Sequence, residues 1–185
     1  MEIYLVRHTT PNIEKGICYG QSDLGVTVSF DTEVTHIHSQ IPVEEITQVY
    51  SSPLQRCKLL AETFKKPVIF DNRLKELNFG DWELKAWDEI SEEEIRPWMN
   101  DFVNVSAPEG ESYITLQQRV LDFFSDLDSS SSDKIIIVSH AGPMRSLIAQ
   151  IQNITLKNSF SIKLGYGQII KINAIDGNLT ITDLS

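Results

Sequence analysis

The stretch MEIYLVRHTT (residues 1–10) places a continuous apolar run, Ile3–Val6, directly before Arg7 and His8. A short, uninterrupted apolar run is typical of a strand that is covered on both faces, as in a parallel sheet. The two polar residues after it have two interpretations. They mark the point where the strand meets solvent, or they belong to a site, because open α/β sheets bind ligands at the carboxyl ends of their strands. The residues that follow the other strands must decide between these interpretations.

Three further apolar runs predict strands, at Val49–Tyr50, Val68–Phe70 and Ile135–Val138. Between the runs, apolar residues recur at helical spacing after Pro53, from Ser112 onward and after Gly142. Strands that alternate with helices predict an α/β fold, here a three-layer sandwich with a mostly parallel central sheet flanked by helices. Asp176-Gly177, between two β-like segments, predicts an antiparallel hairpin at the C-terminal edge of the sheet.

The size and composition of the chain predict one domain over residues 1–185, because the sequence is 41% hydrophobic and contains no linker-like segment. SEEEIRPWMNDF (residues 91–102) begins with a helix-capping serine. It predicts a short helix within an excursion at about residues 82–112, which we interpret as a candidate lid. A formal net charge of −10 argues against nucleic-acid binding. The absence of a signal peptide or membrane-length apolar run predicts a cytoplasmic protein without membrane contact, whose oligomeric state stays open.

Basic residues follow three of the predicted strands. Arg7 and His8 end the first, Arg56 lies in the first helical turn after the second, and His140 ends the fourth. Each has an ordinary interpretation as a surface or hydrogen-bonded residue. Together, two arginines and two histidines at one sheet edge predict an anion pocket in an otherwise acidic protein. Arginine forks match phosphate oxygens, and a neutral imidazole is a competent nucleophile toward phosphorus.

Glu76 lies in LKELNFGDWE (residues 74–83), where apolar neighbours hold a carboxyl group. Such surroundings favour the protonated form that a general acid needs. The alternative is a structural ion pair between Glu76 and Arg73 or Lys75.

These residues fall into ordered motifs: Arg7-His8-Thr9, SSPLQR (residues 51–56), LKELNFGDWE, PEGES (residues 108–112) and VSHAGPMR (residues 138–145). With them, the chain resembles the histidine phosphatase superfamily, also called phosphoglycerate mutase-like, from Ile3 to about Ile151. GICYGQSD (residues 16–23) and the Arg56-Cys57 pair most resemble the α-ribazole phosphatases, which act late in cobalamin nucleotide-loop assembly.

The resemblance implies a phosphomonoesterase that uses a phosphohistidine. His8 would be the nucleophile and Glu76 the proton donor, while Arg7, Arg56 and a protonated His140 hold the phosphoryl oxygens. Further substrate contacts are implied for a second set of residues, namely Thr9, Tyr19, Gly20 and Ala141. The implied partner is a small phosphorylated metabolite, with inorganic phosphate as product or inhibitor. No metal and no cofactor are expected.

Departures from the family pattern and rival functions remain at this stage. Thr9 stands where the family has glycine, and Leu84 replaces the glycine after Trp82-Glu83. The rival functions are a broad-specificity phosphatase, a phosphoglycerate mutase and an inactive module that binds phosphorylated ligands. Phosphoglycerate mutases of this kind are longer chains than this one. A binding module needs neither a nucleophile nor an acid, so the presence of both His8 and Glu76 argues against it.

The two cysteines and two of the histidines have no assigned chemistry. Cys57 is predicted to lie in the core, and the role of Cys18 is open, as is a disulfide between the two. His36 and His38 do not share a helix face and are interpreted as surface residues rather than metal ligands.

Overall fold

A computed structural model describes residues 1–128 and 131–183 and shows a six-stranded sheet flanked by helices. The strands lie in the order β3-β2-β4-β1-β5-β6. Their bounds are β1 Glu2–Arg7, β2 Gln48–Ser51, β3 Val68–Phe70, β4 Lys134–Ser139, β5 Ile169–Ile175 and β6 Asn178–Asp183. β3, β2, β4 and β1 pair in parallel, whereas β5 and β6 are antiparallel. The predicted α/β fold is therefore confirmed.

Five α-helices connect and cover the strands. They are α1 Phe30–Gln40, α2 Gln55–Thr63, α3 Glu92–Asn100, α4 Tyr113–Ser125 and α5 Ala141–Ile151. Helix α3 begins where the acidic stretch predicts it, with the Ser91 hydroxyl accepting the Glu94 N–H at 3.4 Å. Short 3₁₀ turns at Asn72–Leu74, Gly80–Trp82 and Trp87–Glu89 lead from β3 to α3.

The sheet has a core on each face because side chains alternate along its strands. Ile3 and Leu5 of β1 pack with α4 and α5, while Tyr4 and Val6 pack with α1 and α2. Cys57 is fully buried in the second of these cores, as predicted. The two covered faces produce the three-layer arrangement.

The edges of the sheet differ from its centre. Asp176 and Gly177 both have positive φ, at 50° and 79°, in the two-residue turn that joins β5 to β6, so the predicted hairpin is confirmed. β3 is the opposite edge strand, and Ile69 and Phe70 are 48% and 43% exposed. The expectation that this run is covered on both faces was wrong, because an apolar run does not reveal whether its strand lies at an edge.

The parallel strands place their carboxyl ends side by side. Arg7 pairs with Ser139 across β1 and β4, and Ser51 pairs with Val138 across β2 and β4. The residues that follow these strands are therefore brought to one edge. Within the described ranges, no helix is long and apolar enough to cross a membrane.

Candidate active site

His8 is buried at the end of β1 with its ring fixed in one orientation. Its Nδ1–H donates a hydrogen bond to the Thr9 carbonyl oxygen at 2.7 Å. Burial, reinforced by the positive charges of Arg56 and Arg7, holds the pKa of His8 well below its usual range. A neutral imidazole carries one proton, and the carbonyl oxygen requires that proton on Nδ1. The other nitrogen, Nε2, is left with a free electron pair.

Arg7 and Arg56 are anchored by backbone carbonyls rather than by carboxylates. Arg56 is fully buried and donates from Nη1 to Ser22 O at 2.9 Å and from Nη2 to Gly20 O at 2.5 Å. Arg7 donates from Nη1 to Leu164 O at 2.6 Å. The Nε–H of each arginine is buried and has no hydrogen-bond partner among the described residues. Uncompensated cations with free donors are what an anionic ligand requires.

His140 completes the group that we call the basic cluster: Arg7, His8, Arg56 and His140. The rings of His8 and His140 have centroids 5.0 Å apart. The His140 Nε2 lies 2.8 Å from Ser52 Oγ and 3.3 Å from the sulfur of Cys57. Burial, with Arg56 nearby, lowers the pKa of His140 well below its usual range. Burial thus favours a neutral His140 in the protein alone, and a neutral ring still carries one N–H donor. A protonated His140 beside a bound phosphoryl group stays a prediction.

Glu76 faces the basic cluster from the other side, held by backbone donors. Its carboxylate oxygens accept the Gly142 N–H at 3.1 Å, and Oε1 accepts the Leu77 N–H at 2.9 Å. A Cβ on Gly142 would lie 2.1 Å from Glu76 Oε1, so only glycine permits this approach. Arg73 instead pairs with Asp71 and Asp126. The ion-pair alternative for Glu76 is thus not what the structure shows.

Arg119 and Glu111 fix the backbone around Glu76, and the sequence analysis gave them no role. Arg119 donates to the carbonyl oxygens of Arg73, Lys75 and Glu76 at 2.7, 2.7 and 3.0 Å. Its Nη2 also pairs with Glu111 at 2.6 Å. Glu111 is part of the quoted motif PEGES, so the motif was a signal of importance without indicating what the side chain does.

The loop of residues 16–23 carries two of the other predicted contacts. The Glu83 carboxylate accepts the backbone N–H groups of Gly20, Gln21 and Ser22 at 2.8–3.0 Å. Because the Gly20 carbonyl is bound by Arg56, both backbone groups of Gly20 are engaged inside the protein. Gly20 therefore supports the position of Arg56, and its predicted contact with substrate stays a prediction.

Tyr19 and Tyr166 lie against the two arginines of the basic cluster. Their hydroxyl groups lie 2.8 Å apart, and the Tyr166 ring lies 4.0 Å from the Arg7 guanidinium. Tyr19 and Ala141 also line the cavity beside His8, and their contact with substrate stays a prediction. Thr9 is fully buried and contributes its carbonyl oxygen to His8, while its hydroxyl lacks a protein partner.

A cavity of about 240 Å³ is lined by Glu76 and by two members of the basic cluster, Arg7 and His8. One side is formed by what we call the aromatic wall: Phe79, Trp87, Trp98, Phe102 and Phe160. Its rings form a continuous chain of contacts, with centroids 5.0–6.1 Å apart. The sequence did not predict the wall, because its members come from separate segments without a shared motif.

The arrangement is suited to phosphoryl transfer. Arg7, His8 and Glu76 line one cavity, and the charge of the anchored Arg56 acts on His8. Among residues 1–128 and 131–183, no group of three or more histidine, cysteine, aspartate or glutamate side chains is arranged to hold a metal ion. The fold and the site together define an α/β enzyme that acts on phosphate esters.

Comparison with known proteins identifies the family. The profile of the histidine phosphatase superfamily (branch 1) matches residues 3–185. A relative from Escherichia coli named "Probable phosphoglycerate mutase GpmB" is 34% identical over 163 residues, which cover 82% of this chain and 74% of that protein. The chain belongs to the histidine phosphatase superfamily and is accordingly a phosphatase or a mutase.

Solved structures show the same fold. The α-ribazole phosphatase from Shigella flexneri superimposes with a TM-score of 0.90 at 24% identity, covering 100% of this chain and 96% of that chain. A phosphoserine phosphatase mutant from Entamoeba histolytica, in complex with phosphoserine, has a TM-score of 0.82 at 21% identity over 98% of this chain and 95% of that chain. At these identities, the likeness establishes the fold and leaves the substrate open.

Proposed function

We propose that this protein is a phosphomonoesterase that works through a phosphohistidine on His8, with α-ribazole 5′-phosphate as its substrate. The chemistry rests on the fixed, neutral ring of His8. Because Nδ1–H is committed to the Thr9 carbonyl, Nε2 offers its electron pair beside two arginines. A protonated ring would have no electron pair to offer, so the lowered pKa favours the reactive form.

The first step transfers the phosphoryl group to the protein. The electron pair of His8 Nε2 attacks phosphorus, and the bond between phosphorus and the ester oxygen breaks. The leaving oxygen takes that electron pair and receives the proton of Glu76, which this step requires in its carboxylic acid form. Arg7, Arg56 and the N–H of neutral His140 stabilise the charge on the phosphoryl oxygens.

The second step returns the enzyme to its starting state. A water oxygen attacks phosphorus, the bond between nitrogen and phosphorus breaks, and its electron pair returns to Nε2. The proton released by water goes to the Glu76 carboxylate, which is then ready to act as the acid again. Inorganic phosphate is the product and binds the same cluster as an inhibitor.

The aromatic wall is the observation that supports a substrate whose alcohol part carries an aromatic ring, as the benzimidazole of α-ribazole does. Five rings line the cavity on the side of Glu76 where the leaving alcohol must lie. A benzimidazole stacks or packs edge-to-face on such rings, whereas the alcohol parts of phosphoserine and phosphoglycerate are small and highly polar. α3 supplies Trp98, so we also propose that the excursion at residues 82–112 closes over the alcohol as a lid.

A substrate panel tests the assignment. We expect kcat/KM to be highest for α-ribazole 5′-phosphate and lower for phosphoserine. We expect no detectable conversion of 3-phosphoglycerate to 2-phosphoglycerate. Faster hydrolysis of phosphoserine would overturn the α-ribazole assignment, and mutase turnover would overturn the phosphatase assignment.

The nucleophile is tested by trapping the intermediate. Rapid quenching with ³²P-labelled substrate should leave acid-labile label on the wild-type protein. His8→Ala should lose both the label and turnover. His36→Ala provides the matched control, because His36 is exposed on α1, and should behave as wild type. Substantial turnover by His8→Ala would refute the mechanism.

A further inference from the structure

Arg145 is a half-buried cation in the cavity that the proposed mechanism does not use. It lies on α5, three residues after Gly142, whose N–H binds Glu76. Residues three apart share a helix face, so Arg145 lies on the same side of α5 as that contact, one turn further from the basic cluster. Arg145, Glu76 and the aromatic wall line the same cavity.

The Arg145 guanidinium is anchored at one nitrogen only. Its Nε–H donates to the Ile162 carbonyl oxygen at 3.1 Å, and its Cζ atom lies 5.3 Å from the Phe160 ring centroid. Within residues 1–128 and 131–183, neither Nη nitrogen makes a hydrogen bond, and no carboxylate lies within ion-pair distance of the group. The hydrogen bond from Nε fixes the orientation of the guanidinium, a planar fork whose two Nη donors have no partner among the described residues.

The free fork is costly for the protein alone. Burial lowers the pKa of Arg145, which means that its surroundings disfavour the charge, although Glu76 partly opposes this. The chain has 26 acidic residues, so a partner for a purely structural arginine would be easy to provide. A partner supplied by the ligand explains why the protein provides none.

We infer that Arg145 is the specificity residue of the cavity and binds a pair of neighbouring oxygen atoms on the alcohol part of the phosphate ester. The inference rests on the proposed function. A planar guanidinium offers two parallel N–H donors, which match two adjacent oxygens and not one isolated acceptor. A carboxylate and a ribose diol both present such a pair. The aromatic wall and Arg145 therefore recognise different parts of one alcohol.

Three esters distinguish the possible sources of these oxygens. α-Ribazole 5′-phosphate carries a diol, phosphoserine carries a carboxylate, and phenyl phosphate carries neither. In Arg145→Met, kcat/KM should fall about tenfold to hundredfold for an ester that uses the fork, as expected for hydrogen bonds to a charged group. Most of the loss should appear in KM, because the contact exists before and during the reaction. Phenyl phosphate should change less than about threefold, because it makes no such contact.

Two further variants separate recognition from structure. Arg145→Lys keeps the charge and loses the fork, so it should restore part of the rate for a carboxylate and little for a diol. Lys58→Met is the control for a lost surface charge, because Lys58 lies exposed on α2, outside the proposed lid, and pairs with Glu62. It should leave all three esters unchanged. Thermal unfolding of each variant reports any loss of stability at the contact with Ile162.

The outcomes are distinct for this inference and for the proposed function. Equal losses for all three esters, or none for any, would overturn the role of Arg145. Trapping phosphohistidine from phenyl phosphate in the same variants tests the mechanism separately. Labelled wild-type protein with uniform losses would overturn the Arg145 subsite alone. Unlabelled wild-type protein with ester-dependent losses would overturn the phosphohistidine and retain the subsite.

Discussion

The basic cluster and the aromatic wall face each other across one cavity but are assembled in different ways. The cluster comes from the ends of β1 and β4 and from the first turn of α2, and backbone carbonyls hold His8 and the two arginines in place. The wall comes from α3 and from the connecting segments, and its rings contact one another and Trp82 and Tyr113. Sheet register fixes the chemistry, while the excursion and the connections around it supply the contacts with the alcohol. The two can therefore change independently.

The largest effect is expected from substitution of Glu76, which lies between the basic cluster and the aromatic wall. Glu76→Gln keeps an oxygen to accept the Gly142 N–H but cannot donate an acidic proton. Turnover of an alkyl phosphate should fall by about 10²- to 10⁴-fold. With p-nitrophenyl phosphate, whose leaving group needs no proton, phosphohistidine should form and accumulate, giving a burst of nitrophenol. Glu92→Gln, exposed on α3, should have no effect. Equal losses for both esters without a burst would contradict the general-acid role.

The next effect is confined to the basic cluster. Arg56→Lys removes the fork that spans the Ser22 and Gly20 carbonyls. Inorganic phosphate should then inhibit about tenfold to hundredfold less strongly, because lysine cannot reproduce the paired bonds. Competitive inhibition measures this directly. Lys58→Met on the exposed side of α2 is the control for lost charge. Unchanged inhibition by phosphate in Arg56→Lys would show that the anion binds elsewhere.

The basic cluster should also make stability depend on pH, whereas the wall carries no titratable group. The pKa values of His8 and His140 are lowered in the folded protein and lie near 6.5 when unfolded. Above pH 6.5 both forms are neutral and the histidines contribute nothing. Below it, only the unfolded chain takes up protons, so each histidine should lower the free energy of unfolding by up to about 1.4 kcal/mol per pH unit.

Denaturant unfolding between pH 7.5 and 5 measures this slope. His8→Gln should reduce the slope by the share of one histidine. A slope in His8→Gln equal to that of wild type would show that His8 is protonated in the folded protein.

The smallest effect belongs to the aromatic wall. Trp98→Leu keeps an apolar side chain and removes ring contacts with Trp87 and Phe102. KM for an aromatic ester should rise about twofold to tenfold, in line with the value of one aromatic pair. KM for phosphoserine should stay the same. A parallel rise for both esters would indicate that the excursion positions the reacting groups, which would join the two regions rather than separate them.

The basic cluster could be located from the sequence because parallel strands align their ends. Once Ile3–Val6 and Ile135–Val138 are strands, Arg7, His8 and His140 must lie at one edge. The state of His140 could not be predicted in this way, since its pKa depends on burial and on neighbours from other elements. Similarly, the place of Gly20 depends on Glu83, which is 63 residues away in the chain.

The aromatic wall was beyond sequence reasoning for a related reason. Phe79, Trp98 and Phe160 lie in three segments that have no periodic relation to one another. Their aromatic character is equally expected of a core, and only the folded chain shows that they line a cavity. Arg145 was visible as part of VSHAGPMR, but its free fork depends on Ile162 and Phe160.

Because Cys57 is buried against His140, the rate at which its thiol is alkylated reports local opening of the structure around the basic cluster. Burial raises the pKa of the Cys57 thiol well above its usual range and that of Cys18 to about 12, so neither sulfur is a reactive thiolate at neutral pH. An alkylating reagent reaches Cys57 only when α2 separates from the end of β4. The labelling rate of the unmodified enzyme thus counts how often the basic cluster comes apart. Bound phosphate should stabilise the basic cluster and therefore lower the alkylation rate of Cys57.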